Sequence, residues 1–278
     1  MSLYLKSAAY TPIETVNITT NGNLKRTVHL ITALIYEQSE RVLNVIRPEL
    51  RRQISRHFLC STMIELPFTS GTIKERDIRP IEREYYVPVS SFVNTYECAS
   101  WGYSLRYYLR QNPSVHYILV SILDVNILSL SFWKNNKNWG KSGFGLCTLL
   151  LEVEQYNEKE ITADCTLTYN TMPEFAIIIR KIIMNQSNLT LALPFFPEKT
   201  RQIFSKLLND VEQFSDLHAR WGHCFGSDPW LNIITHGVNK KIQEHKRILA
   251  CSLALNGYYC IAEVGVDQHS RFYLSEKI

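Results

Sequence analysis

Cys98 is the residue of this 278-residue chain best placed to do covalent chemistry. It closes the segment Ser91-Phe-Val-Asn-Thr-Tyr-Glu-Cys98 and opens Ala99-Ser-Trp-Gly102-Tyr-Ser-Leu105, where an extended apolar run passes into a helical pattern. A helix N-terminus carries free N–H groups and partial positive charge, which favour a thiolate and would depress the thiol pKa. Ala99, Ser100 and Gly102 keep the next turn small and leave room for a substrate to reach the sulfur. A thiol so placed can carry an acyl group as a thioester. The local features alone leave open the alternative that Cys98 is one more buried cysteine.

The other reactive side chains narrow the field by what they lack. The eight histidines show no HxxxH or HExxH spacing, so no metal site is expected. The seven cysteines (Cys60, Cys98, Cys147, Cys165, Cys224, Cys251, Cys260) form an odd set with no CxxC pair. Nearly all lie in apolar runs such as HFLC, LCTLLL and ILACSLAL, as small buried hydrophobes in a reducing, cytoplasmic compartment do. The first twenty residues lack the basic-then-apolar order of a signal peptide. Asn17-Ile-Thr, Asn185-Gln-Ser and Asn188-Leu-Thr therefore read as chance matches to the glycosylation pattern. The net charge of +4 does not call for a nucleic-acid partner. No window reaches the roughly 18 to 20 apolar residues of a membrane span. No GxGxxG follows an early strand, and Gly143-Phe-Gly145 reads as a place where two backbones approach.

The elements that must hold Cys98 alternate between strand-length apolar runs and helical periods. LYLKSAAY reads as a strand closed at Thr11-Pro12, and Arg26 to Glu49 as a helix. HFLCSTMIEL is a second apolar run; Thr69 to Arg83 reads as a surface loop and Tyr86 to Tyr96 as a third strand. Ala99 to Gln111 is helical in period and stops at Asn112-Pro113. Val115 to Leu123 is nearly all apolar, as a parallel strand covered on both faces would be, and Leu146 to Val153 is similar. The cadence returns with strands at Ile161 to Thr168 and Leu189 to Leu193 and helices at Met172 to Asn185 and Glu198 to Phe214. Ile248 to Leu255 and Tyr258 to Val266 read as a hairpin joined at Asn256-Gly257. Periodicity alone gives an α/β protein in two halves, residues 1–160 and 161–278, forming one compact unit.

Around Cys98 the chain resembles the thiolase superfamily, specifically the β-ketoacyl-acyl-carrier-protein synthase III type. Glu97-Cys98-Ala-Ser-Trp-Gly-Tyr-Ser-Leu105 follows that family's A-C-A-G-F-x-Y-A-L pattern in spacing. VHYILVSILD ends at Asp124 as the family's next strand ends at an Asp, and Ser142 to Leu150 is similar to its G-D-G-A-x-A-x-x-L entry. The opening SAAYTPIETVN looks like the family's first strand and its continuation. The second half departs. Where the family has the His of P-H-Q-A-N-x-R-I, LALPFFPEKTRQI places Phe195. Where it has the Asn of H-G-N-T-S, Trp221-Gly-His223-Cys-Phe-Gly-Ser227 places His223.

The resemblance implies a five-layered α-β-α-β-α thiolase-like fold, a dimer, and an acyltransferase that loads Cys98 from acyl-CoA or acyl carrier protein. In that reading His223 is the general base, and the N–H groups of Cys98 and Gly257 form the oxyanion hole. No cofactor is tightly bound; the acyl substrate arrives on coenzyme A or phosphopantetheine, in fatty acid or polyketide-type metabolism. Phe195 can neither donate a hydrogen bond nor carry charge, so decarboxylative condensation of the standard kind is put in doubt. The resemblance also implies a full family member with longer loops than this chain has. Both departures fit a second reading, a degenerate subunit of the chain-length-factor type that completes a heterodimer with an active ketosynthase. His223 could equally be a buried His beside Trp221 and Phe225. Arg47, Arg51, Arg52 and Arg56, or Lys199 and Arg201, could meet an acidic carrier protein or a coenzyme A phosphate, and more commonly such runs are solvated faces. Asp124 closes a strand and could face a site, with a capping or dimer-interface role the favoured expectation. A papain-like hydrolase is disfavoured by the Cys98-Ala-Ser-Trp order. A non-enzymatic interaction module, its contact surface supplied by 15 Tyr and 12 Phe, is the remaining class.

Overall fold

The apolar runs become strands of one mixed sheet, and the helical periods cover its faces. The computed structural model describes residues 3–14, 24–63, 87–154, 157, 160–184, 186, 188–239, 242 and 246–276. In chain order these form β1 (Leu3–Pro12), α1 (Leu24–Leu43), β2 (Ile54–Cys60), β3 (Ser91–Val93), α2 (Ser100–Gln111), β4 (Tyr117–Asp124), α3 (Ser131–Lys134), β5 (Asn135–Asn136), β6 (Gly140–Lys141) and β7 (Gly145–Val153). There follow β8 (Ile161–Cys165), α4 (Thr171–Ile183), β9 (Leu189–Ala192), α5 (Glu198–Leu207), α6 (His218–Trp221), α7 (Asp228–Val238), β10 (Lys246–Leu253), β11 (Tyr258–Val266) and β12 (Arg271–Leu274). Short 3-10 turns cover Pro48–Gln53, Glu97–Ala99 and Phe225–Ser227.

The strand order is β3-β2-β4-β7-β1-β11-β10-β9, with β12 also on β1 and β8 also on β11. Strands from residues 3–153 thus form one half and strands from 161–274 the other. They meet at β1, which runs parallel to β11 at Tyr4–Gly265 and to β12 over Ser7–Tyr10. β4 is parallel to β2 and antiparallel to β7, and it is buried along its whole length.

The two-residue period of a strand sends alternate side chains to opposite faces, and this sorts the core into layers. On β10, Ile248 and Ala250 turn to a central cluster while Leu249, Cys251 and Leu253 turn outward against Phe175 and Ile179 of α4 and Phe204 of α5. In the other half, Ile118, Val120 and Ile122 of β4 face the same central cluster, while Leu123 packs with Val28, Ile31 and Ile35 of α1. The central cluster is filled by α2 (Trp101, Leu105, Leu109) and α7 (Trp230, Leu231, Ile233, Ile234). The Trp101 and Trp230 rings meet edge to face at 4.8 Å and join the two central helices. The order of layers is α1, sheet half, α2 with α7, sheet half, α4 with α5. This is the layered α-β-α-β-α arrangement.

Several elements are shorter than their sequence pattern. The Arg26–Glu49 period yields a helix only to Leu43, because Pro48 cannot continue the hydrogen-bond ladder and instead opens the 3-10 turn. The Glu198–Phe214 period stops at Leu207. The chain then runs along β9, where Leu191 N–H donates to Glu212 O at 2.9 Å and Phe214 N–H to Leu191 O at 2.9 Å, covering an open sheet edge. Of the Tyr86–Tyr96 strand, Ser91–Val93 pairs with β2. The Thr69–Arg83 loop, Asn17 and Asn185 lie outside the described residues. No described helix is long and apolar enough to cross a membrane.

Candidate active site

The turn that carries Cys98 is strained. Tyr96 and Glu97 hold φ of +66° and +47°, a left-handed pair that non-glycine residues seldom adopt. Such conformations persist only where surrounding contacts over-determine them. Here Tyr96 stacks on Tyr103 with centroids 3.9 Å apart, and Glu97 is tied to the β10–β11 hairpin through Asn256 Nδ2 (2.7 Å) and Leu255 N–H (3.2 Å). The turn delivers Cys98 to the head of α2, buried at 4% exposure.

A second loop brings His223 to it. Gly222 has φ +74°, and a Cβ there would lie 2.6 Å from Lys141 O, so only glycine allows the approach. The gap so opened lets His223 N–H donate to Lys141 O (2.8 Å) while Gly143 N–H donates to His223 O (2.9 Å). With its backbone pinned on both sides, His223 places Nε2 4.0 Å from Cys98 Sγ. Its ring lies against Phe225 and Trp139, with centroids 4.8 and 5.9 Å away.

The third member is Asp228, the first residue of α7. Its carboxylate is fully buried, with Oδ2 2.6 Å from His223 Nδ1. It also accepts the Cys224 N–H on Oδ1 (2.6 Å) and the Phe195 N–H on Oδ2 (2.9 Å). Burial raises the Asp228 pKa, and His223 and the two N–H groups pull against that rise. A thiol, an imidazole and a carboxylate therefore stand next to one another as Cys98, His223 and Asp228, the side-chain types from which an activated nucleophile is built. Asp228 is absent from the sequence reading. The signal lay in Ser227-Asp-Pro-Trp, an acidic residue ahead of a proline, which is a helix start.

Two further groups complete the surroundings of the sulfur. The Thr62 hydroxyl, just past β2, donates to Cys98 Sγ at 3.9 Å. Asp124 ends β4 facing this site, where its Oδ1 accepts the Thr62 N–H at 2.7 Å and the Ser61 hydroxyl at 3.5 Å. Asp124 thus holds the chain just after β2 through these bonds and stands beside the thiol. Burial raises its pKa to about 6 against the pull of Thr62 and His223. The thiol departs from expectation as well: burial, then Asp124, Glu97 and Asp228, push Cys98 well above the usual thiol range, with Thr62 opposing. The helix terminus predicted a depressed thiol; three carboxylates and an apolar shell outweigh it, so at rest the sulfur is a neutral thiol.

Phe195 is wholly buried in the central core, and it serves Asp228 with its backbone N–H rather than the cavity with its side chain. The oxyanion role expected of Gly257 meets a competing bond. Its N–H donates to Ala254 O at 3.0 Å inside the hairpin turn, and the residue does not line the cavity. Of the hairpin residues that do line it, Leu255 donates its N–H to Glu97. Of the basic residues, Arg51 pairs with Glu40, Arg201 with Asp216, and Arg56 lies over the Tyr108 ring. All seven cysteines are free, and six are buried.

Cys98 and His223 open on a cavity of about 270 Å³ walled mainly by Phe132, Trp133, Trp139, Met172, Phe196 and Phe225. No cluster among the described residues could hold a metal ion.

No family model matches the sequence, and no curated protein matches it. Solved structures do. The 3-oxoacyl-(acyl carrier protein) synthase III of Pseudomonas aeruginosa superposes with a TM-score of 0.61 at 8% identity, over 96% of this chain and 99% of that one. The fold is that of a synthase III. The acyltransferase ChlB3 gives 0.63 at 10% identity over 95% and 97% of the two chains. The priming β-ketosynthase of the R1128 polyketide pathway gives 0.61 at 8% identity over 96% of each. On this synthase III-like, thiolase-type fold, the first-half Cys98 and the second-half His223 and Asp228 converge on the central layer between the two sheet halves.

Proposed function

We propose that the chain is an acyltransferase of the ketosynthase III kind that carries its acyl group on Cys98. The observation that carries the reading is the alignment of Cys98, His223 and Asp228 beside an apolar cavity. His223 Nε2 takes the thiol proton as the sulfur attacks the carbonyl of an acyl-coenzyme A or acyl-carrier-protein thioester. The tetrahedral adduct expels the carrier thiolate, which recovers that proton from the imidazolium. In the second half-reaction His223 deprotonates the acceptor, the acceptor attacks the Cys98 thioester, and Cys98 leaves as the thiol. Asp228 offsets the positive charge that forms on the imidazole. The Cys98 N–H at the head of α2 supplies an oxyanion donor. The chain acts as a dimer, with itself or with a related ketosynthase.

Loss of the histidine at the Phe195 position supports acyl transfer over decarboxylative condensation, because the enolate of a malonyl thioester loses a donor there. The same substitution supports a second reading, a subunit that has lost its own turnover and completes an active partner. Intact-protein mass spectrometry after incubation with acyl-coenzyme A and acyl-carrier-protein donors separates the two. The expected result is an acyl adduct that disappears in Cys98→Ala and forms far more slowly in His223→Ala, which lacks the base for the thiol proton. A folded protein that takes no adduct from either donor class would leave only the degenerate-partner reading.

A further inference from the structure

We infer that Thr62 is a catalytic residue whose hydroxyl supplies the hydrogen bond that a Cys98 thiolate requires, and that Asp124 is the positioning residue that holds it there. The inference rests on Cys98 being the nucleophile proposed above.

The sulfur is approached from two sides, by an imidazole that can take its proton and by a hydroxyl that can donate to it. His223 Nε2 lies at 4.0 Å and the Thr62 Oγ1 at 3.9 Å. Thr62 is itself 4% exposed and lines the same cavity. Its backbone is fixed because Asp124 Oδ1 accepts the Thr62 N–H at 2.7 Å, at the point where β2 and β4 end side by side. The electrostatic surroundings give this donor its importance. Asp124 from β4, Glu97 from the nucleophile turn and Asp228 from α7 all disfavour negative charge on the sulfur, and among the described residues His223 is the base in contact with it. When His223 removes the proton, the thiolate faces three carboxylates, and the Thr62 hydroxyl is the neutral donor that offsets them. A thioester sulfur carries no such charge, so the bond is strong when the thiolate forms and weak once it is acylated. A contact of that kind accelerates the step. Asp124 thus has two opposed effects: it places Thr62 through the N–H bond, and its charge works against the thiolate.

The two effects move the sulfur in opposite directions, and a packing role would not. The assay is the pH dependence of Cys98 alkylation by iodoacetamide, read on the Cys98 peptide by mass spectrometry in the full chain. Thr62→Val, isosteric but without the hydroxyl, is expected to slow alkylation near neutral pH about tenfold, the worth of one hydrogen bond to a charged group, and to shift the profile to higher pH. Thr62→Ser is expected to return it to within about twofold of the native rate, since the donor is restored. Asp124→Asn, which keeps an acceptor for the Thr62 N–H while removing the charge, is expected to shift the profile to lower pH. A native profile in Thr62→Val would overturn the inference, as would displacement of Thr62→Val and Asp124→Asn in the same direction. Alkylation needs no acyl donor. A protein that shows these shifts yet accepts no thioester would refute the proposed function and leave the role of Thr62 standing.

Discussion

The Asp124 carboxylate offers a quantitative check on the electrostatics of the site. It is 1% exposed, and burial raises its pKa from 3.8 to about 6. The folded form therefore binds its proton more tightly than the unfolded form, and ionisation works against folding. The cost is absent below the unfolded value of 3.8, grows as pH rises towards 6, and is complete above that. A shift of this size corresponds to roughly 3 kcal/mol of stability lost at high pH, at about 1.4 kcal/mol per unit. Asp124→Asn removes the ionisation. Any misfit of the amide costs the same at every pH, so the difference between variant and native stability isolates the charge. Urea unfolding of both proteins at pH 4 and pH 8 should give a stability difference that moves in the variant's favour by roughly 2 to 3 kcal/mol between the two. A difference independent of pH would show that Asp124 is not a strained, ionised carboxylate at neutrality, and the account of a thiol held neutral by its neighbours would lose its chief support.

Four other outcomes are expected. Asp228→Asn leaves an amide NH₂ facing one of the three donors that now converge on the carboxylate, costing about 1 to 3 kcal/mol in chemical unfolding and at least about a hundredfold in acyl transfer; native-like turnover would remove Asp228 from the machinery. Gly102→Ala drives a Cβ to within 2.3 Å of Cys260 Cβ on β11, and should lower the melting temperature by the equivalent of about 1 to 3 kcal/mol; an unchanged melt would mean that α2 can lift off the sheet. His57, with burial lowering its pKa from 6.5 to about 4, contributes stability that is whole above 6.5 and lost as pH falls to 4. A His57→Gln protein should accordingly lose less stability over that interval than the native one, and equal acid sensitivity of the two would count against it. Phe195→His buries an imidazole away from the cavity, so it should destabilise the fold without creating malonyl decarboxylation; appearance of that activity in a radiolabelled carbon dioxide release assay would contradict the placement of residue 195.

The parts of this molecule legible in its sequence are those governed by local pattern. β1, α2 and β11 follow from apolar period and from Pro and Asn-Gly punctuation, and Tyr258–Val266 has the bounds the pattern implies. The nucleophile turn was visible because a strand, a cysteine and a small-residue helix start fall within fifteen residues of one another. Element ends set by tertiary contact were not visible: α5 stops where β9 needs a neighbour, and nothing in Glu198–Phe214 itself marks that edge. α7 is buried from Asp228 to Thr235, its polar Asp228, Asn232 and Thr235 included, so no solvent-facing stripe marks its first turns, and with it Asp228 was missed. The thiol's electrostatics were misjudged for the same reason. The helix terminus is local and legible, whereas Asp124 and Asp228 reach the sulfur from 26 and 130 residues away along the chain, and only folding assembles them.

This placement of charge bears on how such a site avoids wasting its nucleophile. A cysteine held as a standing thiolate is open to any electrophile and oxidant that can reach it. In the proposed mechanism the thiol is neutral at rest and gives its proton to His223, whose developing charge Asp228 is positioned to balance. Deprotonation is thus coupled to the presence of a carbonyl for the sulfur to attack, because an isolated thiolate would face Asp124, Glu97 and Asp228 at once. The left-handed Tyr96–Glu97 pair fits the same logic. Glu97 is bound to the Leu255 N–H and Asn256 side chain, so the turn that presents the sulfur is locked to the hairpin that walls the cavity, and motion in one must be felt by the other.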